Sequence, residues 1–460
     1  MGSTTVAAHL CNLRTGEVLA SAGMMNPQIR FGEDLMSRVS YVMMHPDGDA
    51  EMTKVIRETI NELAENVAAK ANRQLDEIVE VTFVGNPIMH HLLLGINPLE
   101  LGGAPFALAT DESVRIRARD LKLTLHTNTR CYVLPCIAGH VGADTAGMIL
   151  SEAPHKREAI TLLVDIGTNA EIVLGNKERL LAASSPTGPA FEGAQITCGQ
   201  RAAPGAIERV RIDRKTLEPK FKIIGCDLWS DETGFSKQTK KTGITGICGS
   251  GIIEAIAEMY LAGVLTQDGV INGSFAEKSE RIVSEDRTFS YILHDGEQHI
   301  HISQNDVRAI QLAKAALYAG IRLLMERLGI ESVDRIRLAG AFGNHIEPKF
   351  AMILGLIPDC NLKQVSSAGN AAGTGARIAL LNHESRNEIE EVVRQVEKVE
   401  TAVETNFQQH FVNAMALPHK IDKFPNLAKE VELPADNMSE NTYENATPTA
   451  KRRRRKTTNS

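Results

Sequence analysis

The chain lacks any run of about 18 uncharged apolar residues of the kind that spans a bilayer. Its opening, Met1-Gly2-Ser3-Thr4-Thr5-Val6-Ala7-Ala8-His9-Leu10, has neither the basic start nor the apolar stretch of roughly 7–15 residues that marks a signal peptide. A cytoplasmic protein without a membrane partner is expected. Cysteine is sparse: seven in 460 residues, at 11, 131, 136, 198, 226, 248 and 360, an odd and scattered set that excludes a secreted disulfide framework. The one close pair, Cys131 and Cys136, has the spacing that opens a plant-type iron–sulfur ligand set, but the C-x2-C that should follow is missing. That pair reads as small apolar side chains flanking the strand Tyr132-Val133-Leu134. Charge of one sign is lacking as well. Lys plus Arg number 50 and Asp plus Glu 57, a net −7 that excludes a nucleic-acid or anionic-membrane surface across the whole protein. The two ends depart from that average: the first thirteen residues carry no Lys, Arg, Asp or Glu, whereas the last ten contain Lys451-Arg452-Arg453-Arg454-Arg455-Lys456.

What is present is ordinary globular composition, 43% hydrophobic and 23% charged, with length for two or three domains. An internal duplication organises it. Gly2 to Leu10, a turn over Asn12 to Gly16, and Glu17 to Ser21 read as strand, turn, strand; Gly167 to Leu174, Gly175 to Glu178, and Arg179 to Ser184 read the same way. Further on, Met52 to Gln74 carries apolar residues in helical period and precedes the strand Val81-Thr82-Phe83-Val84-Gly85-Asn86. Val307 to Leu328, capped by Ser303 with Asp306 and by Gly329, precedes Ile336-Arg337-Leu338-Ala339-Gly340-Ala341-Phe342-Gly343-Asn344. Each half thus holds a polar-lipped hairpin, a long helix and a buried strand ending in Gly and Asn. The expected units are 1–150, 151–383 with an insertion over about 185–300, helices over 384–424, and a disordered basic tail over 425–460. In the helical unit, Glu388 to Val403 and Phe407 to Met415 carry the expected helices.

A nucleotide phosphate needs unobstructed backbone N–H donors and a carboxylate that organises magnesium. Leu162-Leu163-Val164-Asp165-Ile166-Gly167-Thr168-Asn169 supplies that set: an apolar strand, Asp165 at its end acting on magnesium through water, a Gly turn, and two further donors. Gly2-Ser3-Thr4-Thr5 is its partner in the first half, where the strand and carboxylate that should precede Gly2 are missing. Cys248-Gly249-Ser250-Gly251 opens a helix whose free N–H groups could face a ligand, but no Lys follows as in a Walker loop. Gly340-Ala341-Phe342-Gly343 is not a Rossmann fingerprint either, and its small residues would let a flat ring approach the backbone. Secondary candidates are His140 and Asp144, four apart on one expected helix face, and Glu192 as a second carboxylate. His90 and His91, being adjacent, point to different faces and do not suit a shared metal.

The duplicated halves, the D-x-G-T loop and the late L-A-G-A-F-G strand resemble the superfamily of acetate and sugar kinases, heat-shock chaperones and actin. More narrowly, the chain resembles the ATPase portion of the reductive activators of corrinoid proteins. Gly2 to Thr5, Asn26-Pro27-Gln28-Ile29-Arg30-Phe31-Gly32-Glu33-Asp34, Gly85 to His90, Val164 to Asn169, Cys248 to Gly251, Leu338 to Gly343 and Gly369-Asn370-Ala371-Ala372-Gly373 carry the likeness. The resemblance implies an α/β fold of duplicated, ribonuclease H-like domains flanking a nucleotide cleft, with a helical C-terminal extension. Gly2 to Thr5 and Asp165 to Asn169 would then clasp the phosphates and magnesium of ATP, while Gly340, Ala341, Gly343 and Asn344 hold the adenosine. It also implies a corrinoid protein of a methyltransferase system as partner, with cob(II)amide reduced to cob(I)amide. The family's N-terminal [2Fe–2S] ferredoxin domain has no counterpart here, so the electrons are expected from a separate ferredoxin domain or an external reductant, and the chain reads as truncated. Alternatives are a small-molecule kinase of the same superfamily and a non-catalytic nucleotide-gated module. Nucleic acid is not expected as a partner; the oligomeric state is open, a homodimer included.

Overall fold

The structure, a computed structural model, describes residues 1–343 and 345–434. In the first half, β1 (Thr5–Cys11) and β2 (Val18–Met25) form an antiparallel hairpin, followed by α1 (Leu35–Met44) and the long α2 (Gly48–Lys70). Strand β3 (Glu80–Phe83) then leads into α3 (Pro87–Leu94), where the Asn86 side chain accepts from Met89 N and Pro87 fills the first turn. β4 (Val114–Arg117) and β5 (Arg130–Val133) join β3 in a sheet of order β3-β5-β4, and α4 (Ala143–Glu152) closes the half.

The second half repeats this plan around β6 (Thr161–Ile166), β7 (Ala170–Gly175) and β8 (Leu180–Ser185), an antiparallel meander. Its insertion supplies β9 (Ala206–Ile212) and β10 (Pro219–Ile223), α5 (Phe235–Thr239), β11 (Gly246–Ile247), α6 (Gly249–Leu261), and the small sheet of β12 (Ile282–Glu285), β13 (Thr288–Asp295) and β14 (His299–Ser303). The helix α7 (Gln304–Leu328) starts at a Ser303–Asp306 capping box and stops at a left-handed Gly329. Then come β15 (Arg335–Ala339), the one-turn α8 (Gly340–Gly343), α9 (Pro348–Leu354), β16 (Val365–Gly369) and α10 (Ala371–Leu381). β15 and β16 lie parallel to β6, so the sheet runs β16-β15-β6-β7-β8, the ribonuclease H-like order implied by the duplication. Its strands are apolar on both faces because α7 lies beneath and α4 above: Leu162, Val164 and Ile172 pack in one cluster with α7, Leu163 and Val173 in another with α4.

After α10 the sequence predicts a helix over Glu388 to Val403. The structure instead has α11 (His383–Gln395), and residues Glu397–Lys398 become β17, parallel to β8 at the sheet edge. The chain leaves the helix because pairing satisfies it better: Val399 N donates to Ala182 O at 2.9 Å and Thr401 Oγ1 to Ser184 O at 2.9 Å, with Val399 buried. α12 (Phe407–Asn413) and α13 (Leu427–Glu430) follow. The segment between them is pinned on α7: fully buried Lys314 donates to Ala416 O and Pro418 O, Gln311 to Met415 O, and Tyr318 OH to Asp422. Among the described residues no helix is long and apolar enough to cross a membrane. The expected disordered tail over 425–460 is corrected at its start: 425–434 are described and carry α13, with Leu427 buried and Asn426 and Leu427 donating to Asp359, while the rest, Lys451 to Lys456 included, lies outside the described residues.

Candidate nucleotide site

The turn between β1 and the chain start and the turn between β6 and β7 face one cavity of about 840 Å³ between the halves. Gly2, Ser3, Thr4 and Thr5 line it from one side and Asp165, Gly167, Thr168 and Asn169 from the other, with Gly340 at the rim.

The first loop is held by buried polar side chains. Gly2 N donates to Thr5 O at 2.9 Å, Asn26 Nδ2 donates to Gly2 O at 2.9 Å, and Asn86 Nδ2 reaches Ser3 Oγ at 3.1 Å. Arg38, with no exposed surface, donates to Ser3 O, to Gly32 O at 3.1 Å and to Gln28 Oε1 at 3.1 Å. Burial lowers its pKa to about 10, against an opposing pull from Asp34, so the guanidinium stays charged at neutral pH. The Asn26 to Asp34 segment therefore serves as the support of the loop through Asn26, Gln28 and Gly32. Arg38 lies just beyond that segment and was not legible in the sequence, because nothing local distinguishes it from a helix-surface arginine.

The second loop is fastened from behind. Thr187 Oγ1 donates to Gly167 O at 2.7 Å, Gly188 N to Thr168 O at 2.9 Å, and Thr168 Oγ1 to Glu192 Oε1 at 2.9 Å. Glu192 thus reaches the cavity, as the sequence suggested for it. Asp165 is registered between Ala339 of β15 and Glu171 of β7. Gly340 sits at φ +81°, and a Cβ there would collide with Asp165 Oδ1. Only glycine leaves that carboxylate its place.

Three of the carboxylates on the cavity wall, Asp144, Asp165 and Glu171, act on one another. Burial, then the charge of Asp144, pushes Asp165 up to about 7; burial, then Asp144 and Asp165, pushes Glu171 well above the usual carboxylate range. Burial raises Asp144 too, opposed by its own and the Thr145 backbone N–H and by the Met1 ammonium. That ammonium donates to Val84 O at 2.7 Å. No Lys or Arg is among the charges that shift these three groups. A half-buried carboxylate cluster with no Lys or Arg among the charges that shift it offers only acceptors, the donor chemistry that a hydrated divalent ion would take through one or two carboxylates.

Other predicted positions fall elsewhere. Gly249, Ser250 and Gly251 are buried and do not line the cavity; a Cβ on Gly251 would strike Ile207 O, so this glycine lets α6 pack on β9. Gly343 stands against the backbone of Leu338, off the cavity wall, with Ala341 in the same one-turn helix. Asn344 lies outside the described residues. His140 and Asp144 do not share a helix face, because α4 starts only at Ala143: His140 turns to Glu400 at 3.7 Å and to the Phe106 ring, while Asp144 enters the cavity. Asn370 lines it as well, capping α10 with its side chain on Gly373 N at 2.9 Å. His90 and His91 have their Nδ1 atoms 3.4 Å apart, but Pro87 O and Ala109 N occupy both nitrogens of His91, leaving no pair for a metal. Among the described residues, no group of three or more His, Cys, Asp and Glu is placed to hold a metal ion.

Residues 159–428 match the model described as the C-terminal domain of RACo, the ASKHA domain, and residues 1–157 match the RACo middle region. The chain belongs to the RACo family. Among curated proteins, it is 35% identical over 428 residues to the corrinoid activation enzyme RamQ of Eubacterium limosum, covering 90% of this chain and 69% of RamQ. It is 25% identical over 412 residues to a [Co(II) methylated amine-specific corrinoid protein] reductase of Methanosarcina barkeri, covering 86% and 72%. The solved structure of a reductive activator for a corrinoid, iron–sulfur protein superposes with TM-score 0.78 at 34% identity, over 91% of this chain and 65% of that one. This RACo-family chain therefore spans about two thirds of the length of these relatives, and its fold is that of the ASKHA activators.

Proposed function

We propose that this chain is the ATP-dependent part of a reductive activator, acting on the corrinoid protein of a methyltransferase system to bring cob(II)amide to cob(I)amide. The observation that carries the reading is the placing of two equivalent glycine-lipped loops, Gly2–Thr5 and Gly167–Asn169, on opposite walls of one cavity beside half-buried Asp165. Backbone N–H groups of the two loops bind the phosphates from the two halves. Asp165, once deprotonated, orients the water shell of magnesium, and Asp144 and Glu171 add to the local negative potential. Gly340, which lines the cavity, borders the adenosine. Bound magnesium ATP supplies a binding energy that differs between two arrangements of the halves, since a ligand of equal affinity for both would shift nothing. Electrons enter from a ferredoxin domain or an external reductant.

The test supplies the chain with ATP, magnesium, a low-potential reductant and a cob(II)amide-loaded corrinoid protein, and follows the cobalt absorption spectrum. Cob(I)amide should accumulate with ATP and not with ADP. Equal rates with both nucleotides would overturn the reading.

A further inference from the structure

Beside the nucleotide cavity lies a second, smaller chamber of about 230 Å³. Four residues line both spaces: Thr4 of the first phosphate loop, Thr168 of the second, Asp34 and Glu192. The two spaces therefore meet where the loops meet. Gly340, Asp144, Asp165 and Glu171, by contrast, line the larger space alone. The chamber is large enough for several water molecules, and Gln200 and Arg201 add polar groups to its wall.

Glu192 is built into that junction. It ends the 3-10 turn Pro189–Glu192, whose Ala190 and Phe191 are buried in the core of the second half. Gly193 follows at φ +86°, and a Cβ there would come within 2.7 Å of Gln200 O, so the turn packs directly on the backbone of the chamber wall. Thr168 Oγ1 donates to Glu192 Oε1 at 2.9 Å, which ties one carboxylate oxygen to the phosphate loop and leaves the other for a further donor. The other acids of the chamber are placed differently. Asp34 gives Oδ1 to Ser37 N at 2.6 Å, capping α1, and Glu33 is exposed.

On the reading that the cavity takes magnesium ATP, we propose that this chamber is the water side of an ATP hydrolysis site and that Glu192 is its general base. With the base of the nucleotide toward Gly340 and its phosphates between the loops, the γ-phosphorus faces the chamber. A chamber water attacks that phosphorus in line with the bond to the β,γ-bridging oxygen. That P–O bond breaks, ADP leaves with the electron pair, and inorganic phosphate forms. Glu192 takes a proton from the attacking water and returns it to solvent after the phosphate departs. Thr168 belongs to the loop that holds the phosphate and also holds the carboxylate, so base and target stay in register. Asp165 then serves the metal, and Glu192 the water.

The test uses the full chain with magnesium ATP. Glu192→Gln keeps an acceptor for Thr168 and removes the base, so calorimetry should find ATP affinity within about threefold of the unaltered chain while phosphate release falls by on the order of 100-fold. Glu192→Asp draws the carboxylate back by one methylene and should slow release by about tenfold or more. It decides alone where the Gln variant does not fold. In ¹⁸O-labelled water, the phosphate released in a single turnover should gain one label and the ADP none. Phosphate release by either variant within about threefold of the unaltered chain would overturn the role of Glu192. So would a loss of ATP affinity that matches the loss of rate, which would make Glu192 a support of the loop. Unlabelled phosphate, or label in ADP, would overturn attack by water on the γ-phosphorus. Absence of ATP binding to the unaltered chain would overturn the nucleotide reading and this site with it.

Discussion

Arg38 ties the first phosphate loop to the body of its half without touching a carboxylate; its contacts are the carbonyls of Ser3 and Gly32 and the amide of Gln28. Replacing it with Met keeps the volume and leaves those acceptors unpaired, so Arg38→Met should cost about 3 kcal/mol of stability, read by denaturant titration. Nucleotide affinity should fall further than turnover. Asp165 behaves differently, because its carboxylate is strained by burial rather than supported. Asp165→Asn should leave the chain folded while lowering magnesium-dependent ATP turnover by on the order of 100-fold; unchanged turnover would show the loop misread. His90 gives a pH signature away from the cavity. Burial, then His91, holds its pKa at about 4 against an ordinary 6.5, and its Nε2 has no partner. The unfolded chain therefore takes the proton first as pH falls. The stability is whole above pH 6.5 and drains away toward pH 4, by up to about 3 kcal/mol. His90→Leu should flatten that slope in thermal melts over the same window. At this scale the sequence marks residues whose signal is local, such as Asp165 before a Gly turn, which lines the cavity. It hid Arg38 and Glu171, whose roles come from contacts made across the fold.

Among the elements, the tightest approach between the halves is the crossing of α4 and α10. A Cβ on Gly375 would strike Gly147 O, and one on Gly147 would come within 2.9 Å of Ala372 O. The two helices meet backbone to backbone, each from a different half. Gly375→Ala should destabilise the protein by about 2–3 kcal/mol, and should lower nucleotide affinity too, because the helices set the distance between the phosphate loops. Calorimetry with and without magnesium ATP separates the two effects. The hairpins, α2 and α7 were legible because each carries its own signal: turn residues, period 3.6, or a capping box. β17 was not, since two residues have no periodicity and only the edge of β8 makes them a strand.

Over the whole molecule, the duplication gave the shared hairpin, helix and strand of the two halves, while the ribonuclease H-like domains and the cleft between them came from the family resemblance. What it did not foretell is that Gly251 packs against Ile207 of β9, because a glycine-rich helix start reads the same whether it meets a phosphate or a strand. A cleft that binds ligand only when folded should show it in the melt: magnesium ATP at about 100 times its dissociation constant should add about 2.7 kcal/mol, and magnesium alone much less. Differential scanning fluorimetry checks this.

The stretch from β17 to residue 422 has a bearing on synthesis. β17 closes the outer edge of the central sheet, and residues 414–422 bury Lys314 in the middle of α7. Until those residues leave the ribosome, the β8 edge is bare and the Lys314 amine stays in water, so the nascent second half waits for the C-terminal segment to finish its core. Ribosome stalling near residue 390 should leave a chain that a protease cuts within α7, and release of the remainder should make it resistant.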